Sequence, residues 1–459
     1  RERLAPRTEA ERRTAEVFGE VLGTAPPGVE DGFFELGGDS ILSIRLAARL
    51  AEAFGTDLTP RAVFLHPTPA GLARLLTQER QPCGADPAVV PVAREAAPPM
   101  SYAQQRLWFL EEFAPGGTEY VTALALRLHG ALDLGALGAA LNALVARHES
   151  LRTTFDSVDG RGVQLVHQPR EVPLALHDLS ELPEQEGQSA LRGLLADERG
   201  RPFDLRRGPL LRVALVRLAD GDHVLAITLH HIVTDGWSMG VVLDELCTAY
   251  AALVRGAAPQ LPPVATQYPD FAVWQREQLS GTRLEKHLAY WKGQLAGAVA
   301  PELPLDRPRR GEEAGAGAIH TFPVSARLTA RLRDLVTEQH STLYTALVAA
   351  TQALLARWSG QDDITVGSLT SGRSRTDLER AVGCFVNTVV LRTPVERSWS
   401  FRDLLSAATT TVNDSFVHGD TPFERLVETV GAPREAGRNP LFDVMVLLHP
   451  APPAPAAAH

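Results

Sequence analysis

The chain has 459 residues, enough for two or three domains with well-buried cores. Apolar residues make up 44% and charged residues 22%, the balance of a soluble globular protein and not of a disordered or fibrous one. A formal charge of −10 with no basic cluster to offset it argues against nucleic-acid and anionic-membrane partners.

Residues 1–78 read as a compact helical unit. A first helix is predicted from about Glu9 to Leu22, with Ala15, Val17, Phe18 and Val21 as its apolar stripe. After a long loop a second helix starts near Ser40 and ends near Phe54-Gly55. Short helices over Pro60 to Leu65 and Pro69 to Leu76 each open with Thr-Pro, an N-cap followed by a preorganised first residue. Residues 79–98 are rich in proline and alanine and read as a linker, spanning ~60 Å if extended and ~25 Å as a coil. The helical unit is therefore tethered and free to relocate.

From Met100 onward helices and strands alternate. Helices are predicted at 102–112, 134–148, 187–199, 237–254, 326–339 and 343–358, and strands at 121–129, 163–168, 211–218, 223–231, 317–323, 364–368, 384–393 and 442–449. The Pro-rich stretch Gly256 to Pro263 divides this region into two lobes, which we place at 99–265 and 266–450. Residues 451–459 are Ala/Pro-rich and read as a disordered tail. The three cysteines, Cys83, Cys247 and Cys384, lie far apart with no CxxC pair and no secretory leader, so they read as reduced thiols in the cytoplasm. No apolar run approaches a membrane span. Because the first residue is Arg1 and not methionine, a piece of something longer is expected.

The chemistry-bearing segment is His230-His231-Ile232-Val233-Thr234-Asp235-Gly236, placed where an apolar strand gives way to a helix. Strand alternation puts His231 on one face with Leu225, Ile227 and Leu229, and His230 on the other with Ala226 and Thr228. An imidazole on the apolar face loses solvation and stays neutral, as a proton acceptor or an amine-orienting group must be. Asp235 is expected to shape the turn through an ion pair and Gly236 through backbone freedom. A pair of core histidines satisfied by carbonyls accounts for these seven residues equally well. Metal binding is not expected, since alternation separates the two histidines and no third cluster completes a site.

A second signal is Asp31-Gly32-Phe33-Phe34-Glu35-Leu36-Gly37-Gly38-Asp39-Ser40-Ile41-Leu42. Ser40 stands at a helix N-terminus, where the dipole and free amides favour an attached phosphodiester. With its four-helix setting and tether, the segment resembles the peptidyl carrier domains of nonribosomal peptide synthetases. That resemblance implies 4'-phosphopantetheine on Ser40, transferred from coenzyme A by a phosphopantetheinyl transferase.

The larger region then resembles a condensation domain, the histidine segment matching that family's active-site motif. Supporting it in family order are Ser101-Tyr102-Ala103-Gln104-Gln105-Arg106-Leu107-Trp108-Phe109-Leu110, Arg147-His148-Glu149-Ser150-Leu151-Arg152-Thr153-Thr154-Phe155, Tyr268-Pro269-Asp270-Phe271-Ala272-Val273-Trp274-Gln275-Arg276, Gly383-Cys384-Phe385-Val386-Asn387-Thr388, Thr421-Pro422-Phe423-Glu424 and Arg438-Asn439-Pro440-Leu441-Phe442-Asp443-Val444. The resemblance implies a multidomain chain: an all-α carrier plus an α/β, two-lobed chloramphenicol-acetyltransferase-like fold with a tunnel between the lobes. It implies His231, with His230, Asp235 and Gly236, as the catalytic set, and a structural ion pair between Arg152 and Asp235. Family members continue beyond the Arg-Asn-Pro-Leu-Phe segment, so a C-terminal truncation is expected.

The implied reaction is aminolysis of a thioester, with an upstream adenylation domain supplying the donor and a downstream carrier the acceptor. Proximity supplies much of the rate, and amides near Gly236 are suited to an oxyanion. Epimerisation is the nearest rival, favoured by Asp39 before Ser40. Phe385-Val386-Asn387-Thr388 and the opening motif resemble the condensation form, of the type taking an L-configured donor. His230 excludes the heterocyclisation pattern, an intact motif speaks against an oxygenase-recruiting domain, and a non-catalytic carrier-docking module is the rival of another class.

Overall fold

Thr8 opens helix α1 (Glu9–Leu22) by accepting a hydrogen bond from the Glu11 amide at 3.1 Å, and Gly23, at φ 67°, closes it in the left-handed region that glycine adopts without strain. The computed structural model describes residues 4–38, 40–56, 58, 62–63, 66–78, 88–307, 317–373, 375–432 and 438–448, with Ser40, Ile41 and Ile44 defined by backbone alone. Asp39, the Ser40 side chain, most of the helix expected at 60–65, the first half of the linker (79–87) and the tail 451–459 lie outside the described residues.

The stripe expected on α1 is buried, against helices α2 (Ser40–Phe54) and α3 (Pro69–Gln78). Their core is built from Phe18, Phe33, Leu46, Leu50, Leu72 and Leu76, with the Phe18 and Phe33 rings edge to face at 5.4 Å. Thr68 caps α3 through the Gly71 amide at 3.1 Å. Such a core suits a small domain, which has little interior to draw on.

Packing divides the chain into two compact units, neither continuous in sequence: one holds 87–281 with 377–386, the other 1–86, 282–376 and 387–459. The first unit is built on a four-stranded sheet in the order β1 (Val121–His129), β6 (Asp222–His230), β5 (Leu211–Ala219), β4 (Leu174–Asp178). β1, β6 and β5 run antiparallel and β4 is parallel to β5. A separate hairpin pairs β2 (Thr153–Val158) with β3 (Arg161–Val166). Leu225, Ile227 and Leu229 of β6 enter the main core with helices α5 (Leu134–Arg147) and α7 (Gly236–Val254), while Val224 meets α6 (Glu184–Gly200) on the opposite face. Helix α4 (Tyr102–Phe113) starts with a Ser101/Gln104 capping box, and helix α8 (Tyr268–Gln278) also belongs to this unit. By length and composition α7 is apolar enough to cross a membrane, against the expectation that no such run exists. Its apolar side packs as Val241, Val242, Leu246 and Ala249 in the core.

Beyond α1, α2 and α3, the second unit pairs β7 (Asp363–Thr370) antiparallel with β8 (Asn387–Pro394). Around them lie α9 (Gly281–Gln294), α10 (Ala326–Glu338), α11 (Leu343–Ser359), α12 (Phe401–Val417) and α13 (Phe423–Val430), with Trp291, Val348, Ile364, Val389, Leu391 and Phe442 in the core. Two expected strands are not formed as strands. Residues 317–323 are exposed and unpaired, and 442–448 meet β7 through one parallel bridge, the Gly367 amide and carbonyl bonding Val444 and Val446 at 2.8 and 3.0 Å. The side-chain position of Gly367 is taken by the Phe442 ring, 2.4 Å from where a Cβ would stand.

Candidate active site

β6 is buried along most of its length, and its last residue, His230, is only 2% exposed. Its Nδ1 accepts a hydrogen bond from the Ile232 amide at 3.1 Å, and its ring lies against Tyr120 and Phe203. Burial pushes its pKa down from the usual 6.5 to about 4, with the neighbouring His231 adding to the effect. His230 is thus a neutral scaffold residue. The burial expected for His231 falls on His230 instead, because both faces of β6 are covered up to its last residue and His231 has already left the strand.

His231 opens a 3₁₀ turn (His231–Val233) and is half-buried. The turn is held by the His231 amide on the Tyr120 carbonyl at 2.8 Å and by the Thr234 amide on the His231 carbonyl at 3.2 Å. Gln104 supports it from the opening motif, its side-chain amide lying 3.4 Å from the Ile232 carbonyl and 3.2 Å from Gln164 Oε1. His231 Nδ1 lies 3.6 Å from Cys384 Sγ, and Nε2 makes no hydrogen bond among the described residues.

Asp235 caps α7, accepting from the Ser238 amide at 2.7 Å, and its other oxygen accepts from the Phe385 amide at 2.9 Å. Ser238 Oγ donates to the Gly383 carbonyl at 2.8 Å and accepts from its amide at 3.0 Å, and Trp237 Nε1 donates to the Glu379 carbonyl at 2.9 Å. The Tyr268 hydroxyl donates to the Cys384 carbonyl and lies 2.8 Å from Ser101 Oγ. Segment 383–386 is thereby fastened to the turn, which is why β8 starts at Asn387 and not at Cys384.

The ion pair between Arg152 and Asp235 is not formed. Arg152 donates to the His167 carbonyl and sits 4.0 Å from Glu149, while Asp235 is held by backbone amides. A carboxylate that accepts two N–H bonds can remain buried without that guanidinium. Gly236 also differs from expectation. Its φ is outside the left-handed region, and a Cβ there would meet nothing within 4 Å, so the glycine leaves space open at the helix N-terminus. The residues the sequence reading passed over are Cys384 and Tyr268. Both lie in segments singled out above, yet strand or helix periodicity gives no hint that Cys384 reaches His231 or that Tyr268 holds the Cys384 carbonyl.

In the N-terminal helical unit, Ser40 is the first residue of α2, preceded by Gly37 at φ 100° and by Gly38, whose added Cβ would lie 2.4 Å from the Phe33 ring. The glycines therefore let the loop lie flat on the small core, and Ser40 falls at the N-terminus of a helix, the positive end of its dipole. That placement fits a phosphodiester. Among the described residues no three His, Cys, Asp or Glu side chains come together as metal ligands.

The family model described as "Condensation domain" matches residues 95–453 and that described as "Phosphopantetheine attachment site" matches 12–76. The chain belongs to the condensation-domain family, joined to a phosphopantetheine-bearing carrier domain. It is 44% identical over 446 residues to a linear gramicidin synthase of Brevibacillus parabrevis, covering 97% of this chain and 9% of that protein. It is 40% identical over 455 residues to phosphinothricin tripeptide synthetase PhsB of Streptomyces viridochromogenes, covering 98% of this chain and 38% of the relative. The chain thus spans well under half the length of these relatives. Among solved structures it is similar to the X-domain from teicoplanin biosynthesis, at 31% identity and TM-score 0.71 over 78% of this chain and 79% of the other. The first condensation domain of the calcium-dependent antibiotic synthetase is similar at 25% identity and TM-score 0.63, over 73% and 79%.

Proposed function

We propose that this chain carries an aminoacyl or peptidyl group on Ser40 and joins it to the amine of an acceptor aminoacyl carrier, forming an amide bond in nonribosomal peptide synthesis. The observation that carries this reading is His231, held by a fastened turn at a helix N-terminus with Nε2 bonded to no group among the described residues. The reaction is balanced without a cofactor redox step: the amine nitrogen bonds the thioester carbon, the carbon–sulfur bond breaks, and the amine proton ends on the released thiol. A 4'-phosphopantetheine arm on Ser40 supplies the thiol that holds the acyl group as a thioester.

Within this reading Asp235 and Ser238 fix the loop, His230 fixes the strand end, and His231 meets the reacting atoms. The first amides of α7, beside the open space at Gly236, suit the negative charge that develops on the carbonyl oxygen. Positioning of two tethered substrates contributes most, on the order of 7–11 kcal/mol of the barrier. The partners are a phosphopantetheinyl transferase, an upstream adenylation domain and a downstream carrier, and the place is the cytoplasm. The carrier is assigned to 1–78 and the linker to 79–98.

The likeness to the X-domain, which is also described in a complex with OxyB, supports a second reading in which the large region recruits a partner protein. The test loads Ser40 with candidate aminoacyl-pantetheines, adds a loaded acceptor carrier, and follows intact-protein mass. Dipeptide on the acceptor, lost in His231→Ala, is the expected result. An unchanged yield in His231→Ala overturns the role of His231. A donor that exchanges its α-proton without transfer indicates epimerisation, and neither change, with every domain folded, indicates binding alone.

A further inference from the structure

The catalytic turn carries one group that no motif role assigns. Cys384 is 2% exposed, and its Sγ stands 3.6 Å from His231 Nδ1. Its position is fixed by the backbone on either side. Gly383 exchanges two hydrogen bonds with Ser238 Oγ at 2.8 and 3.0 Å, the Phe385 amide reaches Asp235 at 2.9 Å, and the Cys384 carbonyl accepts from the Tyr268 hydroxyl. His231 is held as firmly, through Tyr120 and Thr234. The thiol and the imidazole therefore face each other by construction.

In a neutral imidazole one ring nitrogen carries the proton and the other accepts, and the bond made by one nitrogen decides the state of the other. A thiol is a weak donor and a weaker acceptor, whereas an unprotonated ring nitrogen is a good acceptor. The contact is best satisfied when S–H donates to Nδ1, which leaves the ring proton on Nε2.

We propose that Cys384 is the positioning residue that sets the tautomer of His231, so that His231 presents Nε2–H to the substrate. Its catalytic consequence rests on the reading given under Proposed function. His231 then enters the reaction as a hydrogen-bond donor to the thioester carbonyl oxygen, in which charge develops, and not as the base that takes the amine proton. In the balanced step above, that proton passes to the leaving sulfur.

The test reads the tautomer directly. The protein has 14 histidines, and uniform ¹⁵N-histidine labelling with long-range ¹H–¹⁵N correlation separates the two forms, His231→Gln assigning the signal. The expected wild-type pattern is an Nε2–H ring. Cys384→Ala, which removes the donor, shifts His231 toward a mixture of tautomers, while Cys384→Ser, which keeps a donor, retains the bias. Thermal melts of both variants show whether they fold, and the serine variant tests the idea if the alanine variant does not. An Nδ1–H ring in the wild type, or spectra identical in all three proteins, overturns the proposal. In the transfer assay Cys384→Ala lowers kcat by about tenfold, the worth of one weak hydrogen bond, with KM unchanged. A tautomer shift without any transfer activity in the wild type supports the role of Cys384 and counts against amide synthesis.

Discussion

The Asp235 carboxylate accepts a hydrogen bond from the Phe385 amide at 2.9 Å, binding the end of the histidine turn to a segment 150 residues away in sequence. The same carboxylate caps α7 through Ser238 at 2.7 Å. One side chain thus organises both the helix that follows His231 and the stretch of chain that brings Cys384 to it. Its role is architectural, and buried backbone amides are the groups that depend on it.

Replacing Asp235 by alanine leaves two buried N–H groups without their acceptor, at a cost of about 2–4 kcal/mol. Asn keeps one acceptor oxygen and sets an NH₂ group against the other amide, so its cost is smaller than that of alanine but not zero. Urea denaturation of the two variants beside the wild type checks the order. Equal midpoints for all three proteins would remove Asp235 from this architectural role.

Acid stability isolates His230. Its folded pKa is lowered to about 4 from the usual 6.5 by burial. Above pH 6.5 the ring is neutral in both folded and unfolded chains, and its contribution is fully present. As the pH falls, the unfolded chain takes up the proton first, and roughly 3 kcal/mol is lost between pH 6.5 and 4. His230→Asn keeps an acceptor for the Ile232 amide and does not titrate, so its stability curve is flatter over that interval. Parallel curves for wild type and variant would assign the acid sensitivity to other groups, among them His418, which burial also lowers to about 4.

Much of the fold was legible because its elements are locally consistent. The stripe on α1 and the alternation on β1 announce themselves within one window of sequence. The failures are non-local. Residues 317–323 have the composition of a strand yet are exposed and unpaired, and pairing is a property of a partner that no window contains. β4 was missed because it is a five-residue edge strand with mostly outward side chains. At the site, the histidine segment and Ser40 were visible as motifs. The burial of His230 was not, because alternation alone does not reveal that both faces of β6 are covered, nor that His231 has already left the strand. The Arg152 pairing failed for a related reason: spacing gives no sign that Asp235 would be satisfied by main-chain amides.

Two glycines of the site should respond in opposite ways to the addition of one methyl group. At Gly383 a Cβ would stand 1.8 Å from Tyr268 Cδ2, and Tyr268 is 1% exposed, packed on Phe271 and Phe385 at 5.5 and 4.7 Å. The ring has nowhere to move without breaking its bonds to Ser101 and the Cys384 carbonyl. Gly383→Ala therefore costs about 1–3 kcal/mol through overpacking, and loosens the segment that faces His231. At Gly236 nothing lies within 4 Å of the added methyl and the backbone is not in the left-handed region. Gly236→Ala leaves the melting temperature close to that of the wild type, since alanine is also the better helix former. Its methyl occupies the open space beside the His231 turn, so transfer from Ser40 falls while stability holds. Differential scanning calorimetry paired with the transfer assay separates the two effects. Loss of stability in Gly236→Ala, or full stability in Gly383→Ala, would contradict the packing described for the turn.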